Sequence, residues 1–329
     1  MISIVTGGAG FIGSHLVEFL IKKNHYVKII DDLSTGQYSN IKHLPKSSYT
    51  FYKLDLSKRT KKLKSILKNA SYVFHLAGKA DIVPSIENPT NYFDSNVNGT
   101  LHLLENLKGQ KIKKFIYAAS ASCYGIPKKF PTNESSSLIP MYPYALTKKI
   151  GEDLVMHWDK VFNLPSLSFR FFNAYGPRSR TTGAYGAVFG TFLAQKIANK
   201  PLTIVGNGKQ TRDFIYVQDL VEALYLGAIS KFNQEIFNLG SGKETSVNKI
   251  ANLIGGKKVN IAKRPGEPDR SLANISKIKM KLKWRPKYNI ESGIKIMLKN
   301  LEYWKTAPVW TPKKIKKATR IWFKLLKKI

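Results

Sequence analysis

One tyrosine and one lysine in this sequence have the types and spacing of a proton-transfer pair. Tyr144 and Lys148 lie one helical turn apart, so the lysine ammonium can lower the pKa of the phenol and make it a usable base. The sequence holds four Tyr-x-x-x-Lys pairs, and their context separates them. Only Tyr144 follows a proline suited to a first helical turn and precedes a helix-favouring run, from Ala145 to Val155. We therefore predict that this pair is catalytic.

Ser120 is the hydroxyl group that completes the predicted catalytic set. It follows the apolar run Phe115–Ala119 and comes 24 residues before Tyr144. A serine at the carboxyl edge of a sheet can share a proton with a substrate hydroxyl and with the phenol. The alternative is that Ser120 only ends a strand and that Tyr144 lies on the surface of a helix.

The chain begins with a strand that runs into a turn built on glycines. Gly7, Gly10 and Gly13 are three residues apart and lie between the apolar run Ile2–Val5 and an amphipathic stretch, Leu16–Leu20. A Cβ in such a turn would block the close approach of an anion. The helix that follows directs its free N–H groups and positive dipole end toward a pyrophosphate.

An acidic pair ends the second predicted strand. Asp31 and Asp32 come about twenty residues after the glycine turn, where a carboxylate can accept a hydrogen bond from a ribose 2′-hydroxyl. A 2′-phosphate would be repelled there. The order of strand, glycine turn, helix, strand and acid therefore predicts a dinucleotide site and favours NAD over NADP.

Strands and helices alternate along the first half of the chain. Candidate strands at 2–5, 27–30, 50–54, 72–76, 115–119 and 166–171 are separated by segments with helical spacing, which predicts an α/β fold with a Rossmann-type, doubly wound parallel sheet. After Phe172 short strands mix with helices. We expect an NAD-binding domain over 1–170 with a return segment around 214–240, a smaller substrate domain over 171–304, and a basic amphipathic tail over 305–329.

Composition limits the classes of function. The 329 residues carry a net charge of +33, but only nine of the 54 basic residues are arginine, which favours a lysine-rich bias over nucleic-acid recognition. With one cysteine, Cys123, no internal disulfide forms, and a reducing compartment is natural. The first residues already belong to a predicted core strand, which leaves no room for a signal peptide, and no apolar run reaches the length of a membrane span. We expect a cytoplasmic protein.

Several motifs together resemble the extended short-chain dehydrogenase/reductase superfamily and, more narrowly, its nucleotide-sugar epimerases, of which UDP-glucose 4-epimerase is the best known. The similarity runs from Met1 to about Tyr303. The motifs are Thr-Gly-Gly-Ala-Gly-Phe-Ile-Gly, Asp31-Asp32, Asp55-Leu56, His75-Leu-Ala-Gly78, Ser-Ala-Ser-Cys-Tyr-Gly, Tyr-Pro-Tyr-Ala-Leu-Thr-Lys and Arg170-Phe-Phe-Asn173.

The resemblance implies roles for individual residues, and the reaction that it implies requires no metal. It implies a structural role for His75 and a second role for Tyr144 and Lys148, at the cofactor. The other implied cofactor-binding residues are Gly7, Gly10, Phe11, Ile12, Gly13, Asp31, Asp32, Asp55, Leu56, Ala77 and Gly78. The implied substrate-binding residues are Ser122, Asn173, Arg212, Arg264 and Ser271, and guanidinium forks suit a diphosphate.

The resemblance also implies a reaction. Relatives that dehydrate or decarboxylate their sugars carry acidic residues beside the active-site Ser or Thr, where this chain has Ala121 and Ser122. Tyr144 is then the only evident base, which suits a reversible hydride shuttle at C4 of a UDP-sugar with tightly held NAD, in glycan or surface polysaccharide biosynthesis. A 4-keto reductase or a uronate epimerase is the alternative, and a non-catalytic RNA- or partner-binding relative is a third reading.

The choice of sugar depends on two places in the sequence. Residues 178–188 resemble 4-epimerases of neutral hexoses or N-acetylhexosamines and lack the Arg-Pro-Asp pattern typical of uronic-acid epimerases. Ser271 aligns where strict hexose enzymes carry a bulky tyrosine, and a small residue leaves room for a 2-acetamido group. The expected substrates are UDP-GlcNAc/GalNAc, UDP-Glc/Gal or both, with the alternative that Ser271 has no role in selectivity.

The tail departs from the family pattern. Residues 305–329 contain nine basic residues and no acidic one, and Ile315, Ala318, Trp322, Leu325 and Ile329 repeat at helical spacing. Such a helix docks on its own domain or a second subunit, which we favour, or lies peripherally on an anionic membrane at the inner face. The resemblance further suggests a homodimer built on two helices, 90–107 and 143–162.

Overall fold

The protein is described by a computed structural model that covers residues 1–179 and 188–326. Within these residues the strands are β1 (Ile2–Thr6), β2 (Tyr26–Asp31), β3 (Tyr49–Lys53), β4 (Tyr72–His75), β5 (Lys114–Ser120), β6 (Ser166–Phe171), β7 (Asn173–Tyr175), β8 (Leu202–Val205), β9 (Thr211–Tyr216), β10 (Glu235–Leu239), β11 (Glu244–Ser246) and β12 (Lys258–Ile261).

The helices of the same residues are α1 (Phe11–Lys22), α2 (Lys62–Leu67), α3 (Ile82–Glu87), α4 (Pro89–Phe93), α5 (Gly99–Leu107), α6 (Pro143–Phe162), α7 (Val188–Ile197), α8 (Val217–Ile229), α9 (Val247–Ile254), α10 (Ser276–Leu282), α11 (Ile290–Lys299), α12 (Pro312–Ala318) and α13 (Arg320–Leu326). A π-helical turn joins α4 to α5, and a short 3₁₀ turn, Ala121–Tyr124, follows β5.

Seven parallel strands form the main sheet, in the order β3-β2-β1-β4-β5-β6-β10. Alternate residues of each strand enter two different cores: Val5 packs with α1 and α8, and Ile4 packs with α2, α5 and α6. Because both faces are covered by helices, every residue of β5 is buried. The predicted doubly wound α/β fold is confirmed. Strand order reverses between β1 and β4, which is where ligands of such sheets bind.

A smaller region packs at the carboxyl edge of the main sheet. It contains the three-stranded sheet β11-β9-β7, the pair β12-β8 and a third core supplied by α7, α9 and α11. The chain returns to the main sheet after β9, since α8 packs on α1 and β10 pairs with β6. These positions support the domain division at residue 170 with a return at 214–240, which we retain as a proposal.

The tail forms two short helices rather than one. Thr319 ends α12 with a non-helical conformation, and its hydroxyl donates to the carbonyl of Ile315. The buried face of the two helices carries Ile315, Thr319, Trp322 and Leu326, whereas Leu325 is half exposed. The predicted stripe was therefore wrong at Leu325, and Ile329 lies outside the described residues. We call residues 305–326 the carboxy-terminal strap.

The strap docks on the chain itself, as the favoured expectation required. Its α13 packs on α3, where Val83, Trp322 and Leu326 form a separate apolar cluster. Membrane contact through the exposed lysines remains a prediction. In the part of the chain described here, no helix has the length and apolar character to cross a bilayer.

Candidate functional site

A cavity of about 680 Å³ opens at the carboxyl ends of the sheet strands. Every site residue predicted from the sequence lines this cavity, although these residues come from positions as far apart as Gly7 and Ser271. Parallel strands direct their carboxyl ends to one edge, so the sheet brings together the glycine turn after β1, the acids after β2 and Ser120 at the end of β5.

The glycine turn has no room for side chains at its two ends. Gly7 has a φ of +68°, and a Cβ placed there would lie 2.8 Å from the amide nitrogen of Ala77. A Cβ on Gly13 would lie 2.0 Å from the carbonyl oxygen of Gly7. Gly10 precedes α1 and supplies no capping side chain, so the first N–H groups of the helix face the cavity without a side-chain acceptor.

The two acids after β2 have different environments. The carboxylate of Asp31 accepts hydrogen bonds from the amides of Ala9, at 2.9 Å, and Leu33, at 2.8 Å, and burial raises its pKa. Asp32 is exposed and accepts from the amide and hydroxyl of Ser34. Asp31 therefore fastens the glycine turn to the end of β2, a difference that their adjacent positions in the sequence do not reveal.

The loop after β4 forms the opposite side of the cofactor part of the cavity. Gly78 has a φ of +156°, and a Cβ there would lie 2.9 Å from Oδ1 of Asn96 and 3.3 Å from Nζ of Lys148. Asn96 is buried and donates to Thr147 on α6 and to the carbonyl of Lys79. Sequence analysis did not identify Asn96, because its partners lie 17 and 51 residues away.

Asp55 and Leu56 lie where the loop after β3 meets the same cavity. The carboxylate of Asp55 accepts from the amide of Ser57 at 2.9 Å and from its hydroxyl at 2.7 Å, which shapes the loop. Leu56 is buried and belongs to the core on the α2 and α5 side of the sheet. Phe11 and Ile12 in the first turn of α1 complete this wall.

Lys148 extends from α6 to the sheet, where its ammonium donates to the carbonyl of Ala118 at 2.8 Å. The side chain is buried, and this burial lowers the pKa of Lys148 to about 8. The ammonium also lies 5.3 Å from the ring centroid of Tyr117. A lysine with such a pKa is held near the boundary between its charged and neutral forms at neutral pH.

Tyr144 lies one turn before Lys148 on α6, next to Ser120 and Ser122. Burial raises the pKa of Tyr144 to about 12, and hydrogen bonds with the two serine side chains oppose that rise. The Oγ atoms of Ser120 and Ser122 are 2.8 Å apart. The phenol is therefore protonated at neutral pH, and a positive charge in the cavity would be required to make it a base. Sequence analysis missed Tyr142, whose ring stacks on Tyr144 with centroids 6.4 Å apart and also lines the cavity.

His75 lies beneath the site and is enclosed. Its Nδ1 pairs with the hydroxyl of Thr6 at 2.7 Å and its Nε2 with that of Thr100 at 2.9 Å. Burial, aided by the nearby charge of Lys148, lowers the pKa of His75 to about 3. The imidazole is thus neutral at physiological pH and joins β1, β4 and α5, in agreement with the expected structural role.

This histidine predicts a loss of stability in acid. The unfolded chain takes up a proton near pH 6.5 and the folded chain only near pH 3, so the free energy of unfolding should fall as the pH drops through this window. The contribution of His75 amounts to about 2 kcal/mol between pH 7.5 and 5. Denaturant titrations of wild type and His75→Gln at both pH values measure it. The same substitution at exposed His157 is the control, and an equal pH dependence in wild type and His75→Gln would contradict the assignment.

Two arginines share one carboxylate in the smaller region. Nη2 of Arg212 lies 3.0 Å from Oε1 of Glu267, and Nη1 of Arg264 lies 3.8 Å from Oε2 of the same carboxylate. Asn173 donates from Nδ2 to the carbonyl of Asp213, beside Arg212. All these side chains line the cavity, so the region offers fixed cations for an anionic ligand.

The residues predicted to select the sugar fall partly outside the described chain. Ser271 lines the cavity. Of the sugar-selecting segment 178–188, residues 180–187 lie outside the described residues. Arg178 is described and donates from Nη2 to Glu18 at 2.8 Å.

The strap supplies cavity-lining residues that sequence analysis missed. Thr306 and Trp322 line the cavity, as does Tyr303 just before the strap, and the indole N–H of Trp322 donates to the carbonyl of Pro265 at 2.7 Å. The indole ring also faces the guanidinium of Arg264, whose Cζ lies 5.3 Å from the ring centroid. The apolar helical stripe was the only sequence signal for these contacts. It indicates that one face of the helix is buried but not which part of the protein covers that face.

A family model described as GDP-mannose 4,6 dehydratase matches residues 4–297. A curated protein of Methanocaldococcus jannaschii named putative UDP-glucose 4-epimerase is 36% identical over 299 residues, which cover 89% of this chain and 95% of that protein. The carboxy-terminal strap lies beyond the residues matched by the family model.

Two solved structures are also similar. The UDP-N-acetylglucosamine 4-epimerase of Methanobrevibacter ruminantium, solved with UDP-N-acetylmuramic acid, has a TM-score of 0.84 and 33% identity and covers 91% of this chain and 98% of its own. The UDP-glucuronic acid 4-epimerase of Bacillus cereus was solved with UDP-glucuronic acid and NAD. It has a TM-score of 0.85 and 32% identity, and the match covers 92% of this chain and 99% of that protein.

Proposed function

The chain belongs to the GDP-mannose 4,6 dehydratase family within the extended short-chain dehydrogenase/reductases and is a nucleotide-sugar epimerase, and on this premise we propose that it interconverts the C4 epimers of UDP-GlcNAc/GalNAc, of UDP-Glc/Gal or of both, with NAD as its cofactor. The observation that carries the proposal is the cavity in which Ser120, Tyr144 and Lys148 meet a glycine turn and two arginines. We place the reaction in glycan or surface polysaccharide biosynthesis.

The residues of the cavity fit NAD. The tight turn that the absence of a Cβ on Gly7 and Gly13 permits, together with the first N–H groups of α1, suits a pyrophosphate. Asp31 suits the adenosine ribose, because each of its oxygens uses one lone pair on a backbone amide and keeps a second. When bound, NAD supplies a hydride acceptor for the sugar and a positive charge on its nicotinamide ring.

The proton of the substrate is handled by Tyr144. Burial raises the pKa of the phenol. The positive charge that bound NAD would bring, together with the ammonium of Lys148 one helical turn away, would lower this pKa, so that the Tyr144 oxygen can take the proton of the C4 hydroxyl. Ser120, which hydrogen-bonds with the phenol, holds the same hydroxyl and relays the proton. After the 4-keto sugar has turned about its diphosphate link, Tyr144 returns the proton to the C4 oxygen while C4 regains its hydride on the opposite face.

We propose that Arg212, Arg264 and Asn173 anchor the diphosphate during that rotation. The guanidinium groups are held by Glu267 at the cavity wall, so they are oriented before the ligand binds. Epimerisation requires the sugar to rotate and present its opposite face. A diphosphate held in place allows this rotation without release of the substrate. Ser122 lies beside Ser120 on the 3₁₀ turn after β5 and is proposed to contact the sugar.

The same turn argues against dehydration in this chain, despite the description of the family. Dehydration at C5 and C6 of a sugar requires an additional acid–base group beside the active-site hydroxyl. The two residues that follow Ser120 are Ala121 and Ser122, and neither carries a carboxylate. Tyr144 is therefore proposed to be the base, with Ser120 as the relay.

A conversion assay without added cofactor tests this function. Purified protein is incubated separately with UDP-GlcNAc, UDP-glucose and UDP-glucuronate, and the 4-epimers are resolved by chromatography. We expect conversion of the first or the second to an equilibrium mixture. Conversion of UDP-glucuronate alone would favour the alternative function, a uronate epimerase like the Bacillus cereus relative. No conversion even after NAD is supplied would contradict the proposal.

Ser271 makes the sugar choice testable. We expect Ser271→Tyr to lower the rate on UDP-GlcNAc about 10-fold relative to UDP-glucose, because a larger side chain removes room for the acetamido group. Ser271→Ala, which stays small, is the matched control and should keep the wild-type ratio. A Ser271→Tyr enzyme that epimerises UDP-GlcNAc at the native rate would contradict this role.

We also propose a homodimer through the helices predicted from the family resemblance. α4 and α5 pack on α6, and α6 leaves Leu146, Val161 and Phe162 exposed. Exposed apolar side chains on α6 suit a second copy of the chain. Sedimentation velocity is expected to give a dimer, and a fully active monomer would contradict the proposal.

A further inference from the structure

The carboxy-terminal strap forms part of the cavity wall although it lies beyond the residues matched by the family model. Trp322 lines the cavity, and its side chain is 3% exposed. Packing for stability alone does not require an indole beside Arg264, a cation that lines the binding cavity. The contacts of this indole therefore indicate what the strap does.

The strap is fastened at both ends. Near its start, buried Gln195 donates to the carbonyl of Trp310 at 2.6 Å. Near its end, α13 packs Trp322 and Leu326 on Val83 of α3. Leu326 also reaches the loop that carries Arg264, since its side chain lies 3.8 Å from the position that a Cβ would take on Gly266. The strap thus joins α3 to that loop across the cavity.

Trp322 makes two contacts with the loop that presents Arg264. Its indole N–H donates to the carbonyl of Pro265, the next residue, at 2.7 Å. Its ring faces the guanidinium, with Cζ 5.3 Å from the centroid, a distance at which cation and ring attract. The guanidinium of Arg264 therefore lies over the indole ring, and its Nη1 is 3.8 Å from Oε2 of Glu267. A planar fork held in this way keeps its remaining N–H groups in one orientation.

We propose that Trp322 is a positioning residue for Arg264 and that docking of the strap completes the diphosphate part of the substrate site. This proposal rests on the proposed function, because Arg264 is assigned there to the diphosphate. A ligand that binds Arg264 favours the docked strap, and an undocked strap lowers affinity for the ligand, since the two equilibria are linked.

Binding of UDP alone tests the proposal without any sugar chemistry. We expect Trp322→Ala to weaken UDP binding about 10-fold by calorimetry, and to raise KM for the UDP-sugar by a similar factor with little change in kcat. NAD content should stay at the wild-type level. Leu325→Ala, an exposed position of the same helix, is the matched control and should bind UDP like wild type.

Trp322→Phe separates positioning from packing. Phenylalanine keeps an aromatic ring against Arg264 and Val83 and removes only the hydrogen bond to Pro265, so it should restore most of the affinity lost in Trp322→Ala. Limited trypsin digestion gives an independent measurement, since UDP should slow cleavage of wild type at the exposed lysines of the strap, which are Lys305, Lys313, Lys314, Lys316, Lys317 and Lys324.

Wild-type UDP affinity in Trp322→Ala, or strap cleavage that UDP does not slow, would overturn the proposal. The proposed function fails by a different result. A wild-type protein that binds UDP through the strap but converts no UDP-sugar would contradict epimerisation and leave the role of Trp322 intact.

Discussion

Replacing Tyr144 by phenylalanine is expected to lower turnover about 10²–10⁴-fold, equivalent to about 3–5 kcal/mol of transition-state stabilisation, while the protein keeps its NAD. The phenol is the proposed acceptor of the C4 hydroxyl proton, and phenylalanine removes only its oxygen. The ring contacts with Tyr142 and Tyr92 can remain, and Ser120 retains its hydrogen bond with Ser122. The fold and the cavity should therefore be unchanged.

Three readouts make this result specific. Epimer formation gives kcat, NAD released on denaturation gives cofactor content, and calorimetry with UDP gives substrate-site integrity. Tyr142→Phe is the matched control, because it removes a neighbouring cavity phenol that is not assigned to proton transfer, and it should lose at most about 10-fold. Unchanged turnover in Tyr144→Phe would overturn the catalytic assignment.

Replacing Gly13 by alanine is expected to lower NAD affinity by about 100-fold, which corresponds to about 2.7 kcal/mol of binding free energy. A Cβ on Gly13 would lie 2.0 Å from the carbonyl oxygen of Gly7 and 2.8 Å from the Cα of Gly8. Both obstacles are backbone atoms of the glycine turn, so they can give way only if the turn itself moves. The N–H groups of α1 would then leave the position that suits a pyrophosphate.

The measurement is the NAD content of purified variants, with circular dichroism to establish that each is folded. Gly99→Ala is the control, since a Cβ there would meet its nearest neighbour, Cβ of Leu56, at an ordinary contact distance of 3.5 Å. Gly99→Ala should retain NAD, and activity of Gly13→Ala should recover in part at high added NAD. A Gly13→Ala protein that is isolated with a full complement of NAD would refute the role of the turn.

The proposed catalytic pair, Tyr144 and Lys148, has pKa shifts in opposite directions. Burial lowers the pKa of Lys148 and raises that of Tyr144, so the surroundings disfavour the charged form of each group. The cavity therefore favours a neutral phenol on Tyr144. An additional positive charge in the cavity is needed for the phenol to give up its proton beside the Lys148 ammonium. Such opposed pKa shifts in one cavity are characteristic of groups that transfer protons.

Local patterns in the sequence determined the main sheet and most of the candidate cavity. Apolar runs separated by helical spacing predict parallel strands, and the carboxyl ends of such strands must meet at one edge. This geometric rule explains why Gly7, Asp31 and Ser120, which follow or end β1, β2 and β5, line one cavity, whereas Ser271 was predicted from the family resemblance. Glycine spacing and the Tyr-x-x-x-Lys pair are equally local, because their chemistry depends on neighbours within a few residues.

The tertiary structure alone decided which of the two acids after β2 is buried, which asparagine joins α6 to the loop after β4, and where the strap docks. Asp31 and Asp32 are adjacent in sequence, and only the path of the glycine turn separates their roles. Trp322 meets Pro265 and Arg264 from 57 and 58 residues away. Periodicity indicates that a helix face is buried, but the partner of that face is chosen by packing between distant segments, which no local spacing records.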